Sequence, residues 1–171
     1  MGLVARVACP RCAVDVPDAT PTTYCPRCSG VLEVQVDLGG ISRGLADEIR
    51  QRPRGLWRWR EFLPIADEAH IVSLGEGDTP LVSTRRLAAE TGLERLMIKN
   101  DTLLPTGSLK DRSTTVSLSH AHEVKASAVA VSSTGNHAAS VAGYAAAAGL
   151  PAYVFVPAAT APAKIMQARA Y

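Results

Sequence analysis

The rhythm of hydrophobic and polar positions divides the chain into four stretches. In residues 4–36, Val31-Leu32-Glu33-Val34-Gln35-Val36 alternates with period two and predicts a strand. Residues 37–73, which include Trp57 and Trp59, are mixed, dense in charge and proline (Arg50, Arg52, Pro53, Arg54), and predict a linker with a short helix. Residues 74–125 open on a turn-rich run, Gly75-Glu76-Gly77-Asp78-Thr79-Pro80-Leu81. A helix over Arg85–Thr91 ended by Gly92 follows, then a strand over Leu96–Lys99, and a helix from about Ser108 to Glu123. The last stretch, 126–171, is the clearest. Ala128–Val131 and Ala152–Val156 are short apolar runs and predict buried strands. Between them lie a polar loop, Ser132-Ser133-Thr134-Gly135-Asn136, and an alanine-rich helix over His137–Ala148 capped by Gly149. Another helix starts at about Ala161. Strand, helix and strand at this spacing make a βαβ unit, which implies an α/β fold with a parallel sheet and right-handed crossovers.

Composition narrows the partners. The 171 residues are 47% hydrophobic and 20% charged, with a net charge of +2. With no basic or acidic run, neither a nucleic-acid footprint nor a membrane-surface helix is expected. The longest apolar run, Val141–Leu150, falls well short of the roughly 20 residues that span a bilayer. The first residues, Met1 to Arg6, lack the apolar core of a signal peptide. A cytoplasmic protein with reduced thiols is the expectation.

That expectation bears on the four cysteines. Cys9-Pro10-Arg11-Cys12 and Cys25-Pro26-Arg27-Cys28 are two identical tetrapeptides separated by residues 13–24. Each can present two thiolates from a tight turn, and the intervening segment can close a hairpin that brings the pairs together. Four thiolates in tetrahedral array suit Zn²⁺. Two disulfides or an iron–sulfur site are the alternatives. A zinc site with four protein ligands is closed, and so structural. His70, His120, His122 and His137 are read as surface or partly packed.

Two further segments carry chemistry. In Pro105-Thr106-Gly107-Ser108-Leu109-Lys110-Asp111-Arg112, a lysine stands at a turn leading into a helix. The helix dipole and Arg112 there both favour a neutral amine, the form that condenses with an aldehyde cofactor. A solvated ion-pair lysine is the plainer reading of this segment alone. The second is the loop Ser132–Asn136, after a strand and before a helix, at the carboxyl edge of the sheet where ligands of open α/β folds bind. Its hydroxyls and N–H groups suit a carboxylate or phosphate. A simple helix cap needs only one of its side chains.

The order and spacing of residues 75–81, 105–112, 132–136 and Val154-Phe155-Val156-Pro157 resemble the threonine synthase family and its fold-type II pyridoxal-phosphate relatives. The cysteine ribbon with Leu32-Glu33-Val34, and Trp57-Arg58-Trp59-Arg60, resemble the subset bearing a zinc ribbon. The resemblance runs from about residue 7 onward. It implies a zinc ribbon over 1–36, a linker over 37–73, and over 74–171 part of a tryptophan synthase β-like domain with an open parallel sheet and flanking helices. It implies that Lys110 attaches pyridoxal 5'-phosphate and moves protons on the substrate carbons. Asn136 would bond the cofactor's phenolic oxygen and border the substrate. Ser133, Thr134 and the loop N–H groups would hold the α-carboxylate, with Thr79 at the mouth of the site. The implied reaction is O-phosphohomoserine plus water to threonine plus phosphate, by a homodimer when full length.

The sequence also departs from the family pattern. Leu104, Leu109 and Ser113 stand where relatives have Asn, Phe and Gly. His137 stands where threonine synthases commonly have Thr, and Gly-Asn-His is more typical of threonine/serine dehydratases. A cysteate synthase-like activity, or a catalytically silent zinc-stabilised binding module, also remains open. No glycine cluster before Tyr171 offers a phosphate cradle, so the chain is expected to be a fragment that turns over no substrate alone. The last strand is then expected to leave an apolar edge and face exposed.

Overall fold

The structure, a computed structural model, describes residues 4–17 and 23–171. The chain forms two compact units, one of residues 1–53 and 57–70, the other of residues 54–56 and 71–171. No described helix is long and apolar enough to cross a membrane.

The first unit begins with a three-stranded antiparallel sheet in the order β2-β1-β3, from β1 (Val4–Ala8), β2 (Asp15–Val16) and β3 (Glu33–Val36). Val7 faces Val16 on one side and Val34 on the other. The alternating run thus forms its strand. β1, read as no element from sequence, is the central strand, because the cysteine turns bring both partners to it. The tip of the connection between the cysteine pairs, residues 18–22, lies outside the described residues. Next, α1 (Leu45–Gln51) buries Leu45 and Ile49. Arg58 donates to the Ile49 carbonyl at the helix end, 2.6 Å away, which also accepts the Arg52 N–H, and it lies over the Trp59 ring at 5.7 Å. Arg52 pairs with Glu61 at 2.6 Å, so the segment dense in charge is tied together by its arginines.

In the second unit, β4 (Leu81–Ser83) pairs antiparallel with β5 (Met97–Lys99), and α2 (Arg85–Thr91) connects them. Gly92 ends α2 in the left-handed conformation, φ 69°, which a residue with a Cβ enters only at a cost. α3 (Lys110–Glu123) leads to β6 (Val129–Ser132), α4 (Asn136–Ala148), β7 (Ala152–Phe155) and α5 (Pro162–Ala170). β6 and β7 are parallel, as the βαβ spacing requires, with Val131 beside Val154. Among the described residues the parallel sheet is this one pair, and β4–β5 is a separate antiparallel pair.

The expectation that both βαβ strands are buried needs correction. Val129, Val131 and Val154 share one face, and α4 packs on the strand pair. Tyr153 and Phe155 project from the other face and are 59% and 62% exposed. The apolar runs have side chains for two covered faces, and among the described residues one is covered. An apolar face is therefore exposed, as the sequence also led us to expect.

The core of this unit is Val72, Leu118, Tyr144 and Ala145, with Val129, Ala148 and Leu150 packed around it. Hydrogen bonds hold residues 71–73 to α3: the Val72 N–H donates to the Ser119 hydroxyl (2.8 Å), and Thr115 donates to the Val72 carbonyl (2.7 Å).

Candidate functional site

The cysteine turns are near copies of each other. In the first, the Cys9 N–H donates to Val14 O and the Ala13 N–H to Cys9 O. In the second, the Cys25 N–H donates to Gly30 O and the Ser29 N–H to Cys25 O. Ala13 and Ser29, each directly after a second cysteine, take φ of 55° and 56°. That left-handed step turns the chain back and leaves both sulfurs of a pair on the inner side. All four Sγ atoms lie within 4.8 Å of one another, with Cys9–Cys28 at 3.5 Å and Cys12–Cys25 at 3.6 Å. Sulfurs placed tetrahedrally about 2.3 Å from an ion would be about 3.8 Å apart, so the geometry fits a four-thiolate centre. A Cβ at Gly30 would come within 3.2 Å of Cys9 Sγ and 3.3 Å of Cys28 Sγ, which leaves little room for a larger residue there.

The cluster is electrostatically uneven. Burial alone would raise the Cys9 thiol, but the N–H groups of Cys12 and Arg11 and the neighbouring thiols hold it at about 7. At Cys12 the Val14 N–H works downward, yet burial and the other three sulfurs push the thiol up to about 12. One thiolate forms readily and opposes the next, as coupled groups do, and a bound dication would remove that opposition.

In the second unit, the lysine turn is built around two carboxylates. Asp111 is fully buried. It accepts from the Thr106 N–H (2.7 Å), the Thr106 hydroxyl (2.5 Å) and the Ser140 hydroxyl (2.7 Å). Asp101 accepts two bonds from Arg112, at 2.8 and 3.0 Å, and one from Thr79 at 2.6 Å. Those bonds, Arg112 first, hold the Asp101 carboxyl at about 2. Arg112, read from sequence as a bare cation beside Lys110, is thus neutralised by Asp101. The Thr79 hydroxyl is buried, donates to Asp101 and accepts from Arg112, while Lys99 bonds the Thr79 carbonyl. Lys110 is the first residue of α3, exposed, with its N–H on the Ser108 hydroxyl at 3.3 Å.

The polar loop joins β6 to α4. The Ser133 N–H extends the strand ladder to Phe155 O, and its hydroxyl accepts from the Gly135 N–H at 3.3 Å. Gly135 is the N-cap of α4, and no side chain caps the helix. Neither Ser133 nor Thr134 is spent as a cap, and the first-turn N–H groups keep their anion-binding capacity. Asn136 is the first residue of α4 and is exposed, as is His137.

The Asp111–Ser140 bond joins the start of α3 to α4. Lys110 precedes Asp111 in α3, and Asn136 lies one turn before Ser140 in α4, so both exposed residues are near neighbours along the chain of that buried bond. An exposed amine and uncapped N–H groups at a helix start are the groups that an aldehyde cofactor and an anionic substrate require. Thr79 is tied to this site through Arg112. Of the residues that shape it, sequence reading gave no role to Thr106, Asp111, Ser140 or Asp101. The available signal was two carboxylates flanking a lysine segment otherwise built of small polar residues.

Another buried carboxylate lies behind the site. Glu76, 1% exposed, accepts from Tyr144 (2.7 Å), Ser73 (3.0 Å) and the Leu74 N–H (2.9 Å). Burial pushes its carboxyl up, but the Tyr144 hydroxyl and the backbone N–H groups outweigh that and hold it below its usual range. Burial and Glu76 push the Tyr144 phenol up.

Known proteins give this arrangement a context. Threonine synthase of Methanocaldococcus jannaschii is 41% identical over 141 residues, 82% of this chain and 35% of that protein. Threonine synthase of Methanosarcina acetivorans is 35% identical over 153 residues, 90% of this chain and 37% of that protein. That of Synechocystis sp. is 45% identical over 108 residues, 62% of this chain and 28% of that protein. The chain thus spans about a third of the length of these curated relatives. A pyridoxal 5'-phosphate-dependent aspartate racemase is similar in structure, with a TM-score of 0.51 and 26% identity, over 54% of this chain and 30% of that one. Maize serine racemase has a TM-score of 0.50 and 29% identity, over 54% and 28%. A family model described as pyridoxal-phosphate dependent enzyme matches residues 72–171, well over half of the sequence, and the chain belongs to that family.

Proposed function

We propose that the chain carries the cofactor-attaching and substrate-binding portion of a threonine synthase, acting on O-phosphohomoserine and water to give threonine and phosphate. The observation that carries this reading is the 35–45% identity to three threonine synthases. The bond between Asp111, next to Lys110, and Ser140, one turn after Asn136, supports it. Lys110 holds the cofactor through its amine and moves protons on the substrate carbons. The Asn136 amide donates to the cofactor's phenolic oxygen and borders the substrate. Ser133, Thr134 and the uncapped N–H groups of α4 receive the α-carboxylate. Thr79 stands at the mouth of the site, braced by Asp101 and Arg112. When bound, the cofactor supplies an electron sink for the substrate carbon next to its point of attachment.

Cys9, Cys12, Cys25 and Cys28 hold a structural Zn²⁺ in a ribbon over 1–36. Residues 37–73 are the linker, and 74–171 belong to the cofactor domain with its open parallel sheet. The full-length protein is a cytoplasmic homodimer without nucleic-acid or membrane partners. The support for zinc is the donor set: four sulfurs at tetrahedral spacing and no open ligand position.

The test is attachment. Protein given pyridoxal phosphate and then borohydride should gain the cofactor's mass on the peptide containing Lys110. No gain, or a gain that persists in Lys110→Ala, rejects the reading. The exposed His137 beside Asn136 favours a dehydratase as the second reading. O-phosphohomoserine should perturb the absorbance of bound cofactor, and a response confined to serine and threonine would select the dehydratase.

A further inference from the structure

We propose that Asp111 and Ser140 are a positioning pair that fixes Lys110 relative to Asn136. The inference rests on the reading of those two residues as the cofactor's holders. It starts from an oddity of the core. Asp111 is a fully buried carboxylate with no lysine, arginine or histidine in ion-pair range among the described residues. Packing alone would be served by an apolar residue, since a buried charge is unfavourable unless hydrogen bonds compensate for it. Here three donors do so, from two different elements.

Thr106 contributes its N–H and hydroxyl, which fix the loop before α3. Ser140 contributes its hydroxyl from α4. Gln167 of α5 holds the Thr106 carbonyl at 2.9 Å, so the same loop is clamped from the other side. The loop lies directly against α4 at Gly143, one turn beyond Ser140, where an added Cβ would stand 3.4 Å from Thr106 Cγ2.

Apolar helix contacts tolerate sliding, whereas a charge-assisted bond has a narrow length and angle. The Asp111–Ser140 bond therefore sets the register of α3 against α4. Each functional residue is a near neighbour of it along the chain, Lys110 one residue before Asp111 and Asn136 one turn before Ser140. A cofactor attached to Lys110 meets the Asn136 amide only in that register, and displacements of about 1 Å are enough to weaken such an alignment.

Ser140→Ala removes this one bond and leaves the Thr106 bonds in place. The variant is expected to fold and still to be labelled at Lys110 by borohydride at saturating cofactor. Half-saturation should need about tenfold more pyridoxal phosphate, and the absorbance maximum of bound cofactor should move. Ser140→Cys, which keeps a weak donor, should fall between. In cofactor-free protein, amide exchange at 106–110 and at 136–139 should both accelerate about tenfold in Ser140→Ala. Wild-type half-saturation with an unmoved spectrum overturns the inference, and so does acceleration confined to α4. If wild-type protein takes no label at Lys110, the functional reading fails, and the exchange arm still decides whether the pair couples the two turns.

Discussion

Tyr144→Phe removes one oxygen from a fully buried ring and takes from Glu76 its donor at 2.7 Å. The ring and its packing stay, so the loss is confined to a hydrogen bond to a buried carboxylate. Such bonds contribute about 1.5–3 kcal/mol. Ser73 and the Leu74 N–H still serve the carboxylate, which places the expected cost near the middle, about 2 kcal/mol. The effect has a pH signature. The Glu76 carboxyl lies below the ordinary glutamate range in the folded protein, so its ionisation stabilises the fold above that range. That stabilisation is lost as the pH falls through the lowered folded value. Tyr144→Phe moves the folded value back up, so the variant's penalty is full at neutral pH and shrinks in acid. Urea unfolding of both proteins, followed by far-UV circular dichroism at neutral pH and at about pH 4, measures it. A neutral-pH penalty under about 0.5 kcal/mol, or one that does not shrink in acid, would refute the reasoning.

Gly77→Ala should be more severe, because φ is 106° there and a Cβ would stand 2.4 Å from the Leu56 nitrogen, backbone that cannot swing away. Poor soluble yield, or a loss above about 3 kcal/mol in urea unfolding, is the expected result. Asp101→Asn should release Thr79 and Arg112 at a cost of about 1 kcal/mol, discounted because both partners are partly exposed. The Asp101 carboxyl sits at about 2, so the wild-type advantage should hold at neutral pH and fade as pH falls from about 4 toward 2. Cys12→Ser should lose metal and unfold the first unit's sheet without preventing the Lys110 label. Metal analysis with a thermal melt checks this, and loss of zinc with an unchanged melt would count against a structural role.

Local signals made most elements legible. Gly92 and Gly149 terminate α2 and α4 where a left-handed residue is needed, and both helix ends read correctly from sequence. The doubled Cys-Pro-Arg-Cys unit encodes its own turn, so the sulfur cluster could be read without any tertiary information. β1 and β4 could not. Each is short and is a strand only because a partner distant in sequence lies alongside it. That an apolar face would be exposed was legible, but not that Tyr153 and Phe155 make it, since apolar runs report what a strand could bury rather than which side is covered. In the site, Lys110 and Asn136 stood in recognisable motifs, but the Asp111–Ser140 bond joins residues that no periodicity relates. Arg112 was misjudged because its partner, Asp101, opens a three-residue 3-10 turn (Asp101–Leu103) with no pattern of its own.

The interior of the second unit has a thermodynamic consequence. Glu76, Thr106, Asp111, Thr115, Ser119 and Ser140 lie buried among alanines, where most domains would place leucine and isoleucine. Exposing apolar surface raises the heat capacity on unfolding, and exposing polar surface lowers it. This unit should unfold with a small heat-capacity increment for its size. Its stability curve is then broad and shallow, changing little with temperature until it crosses zero, and cold should weaken it less than it weakens a domain held by an oily core.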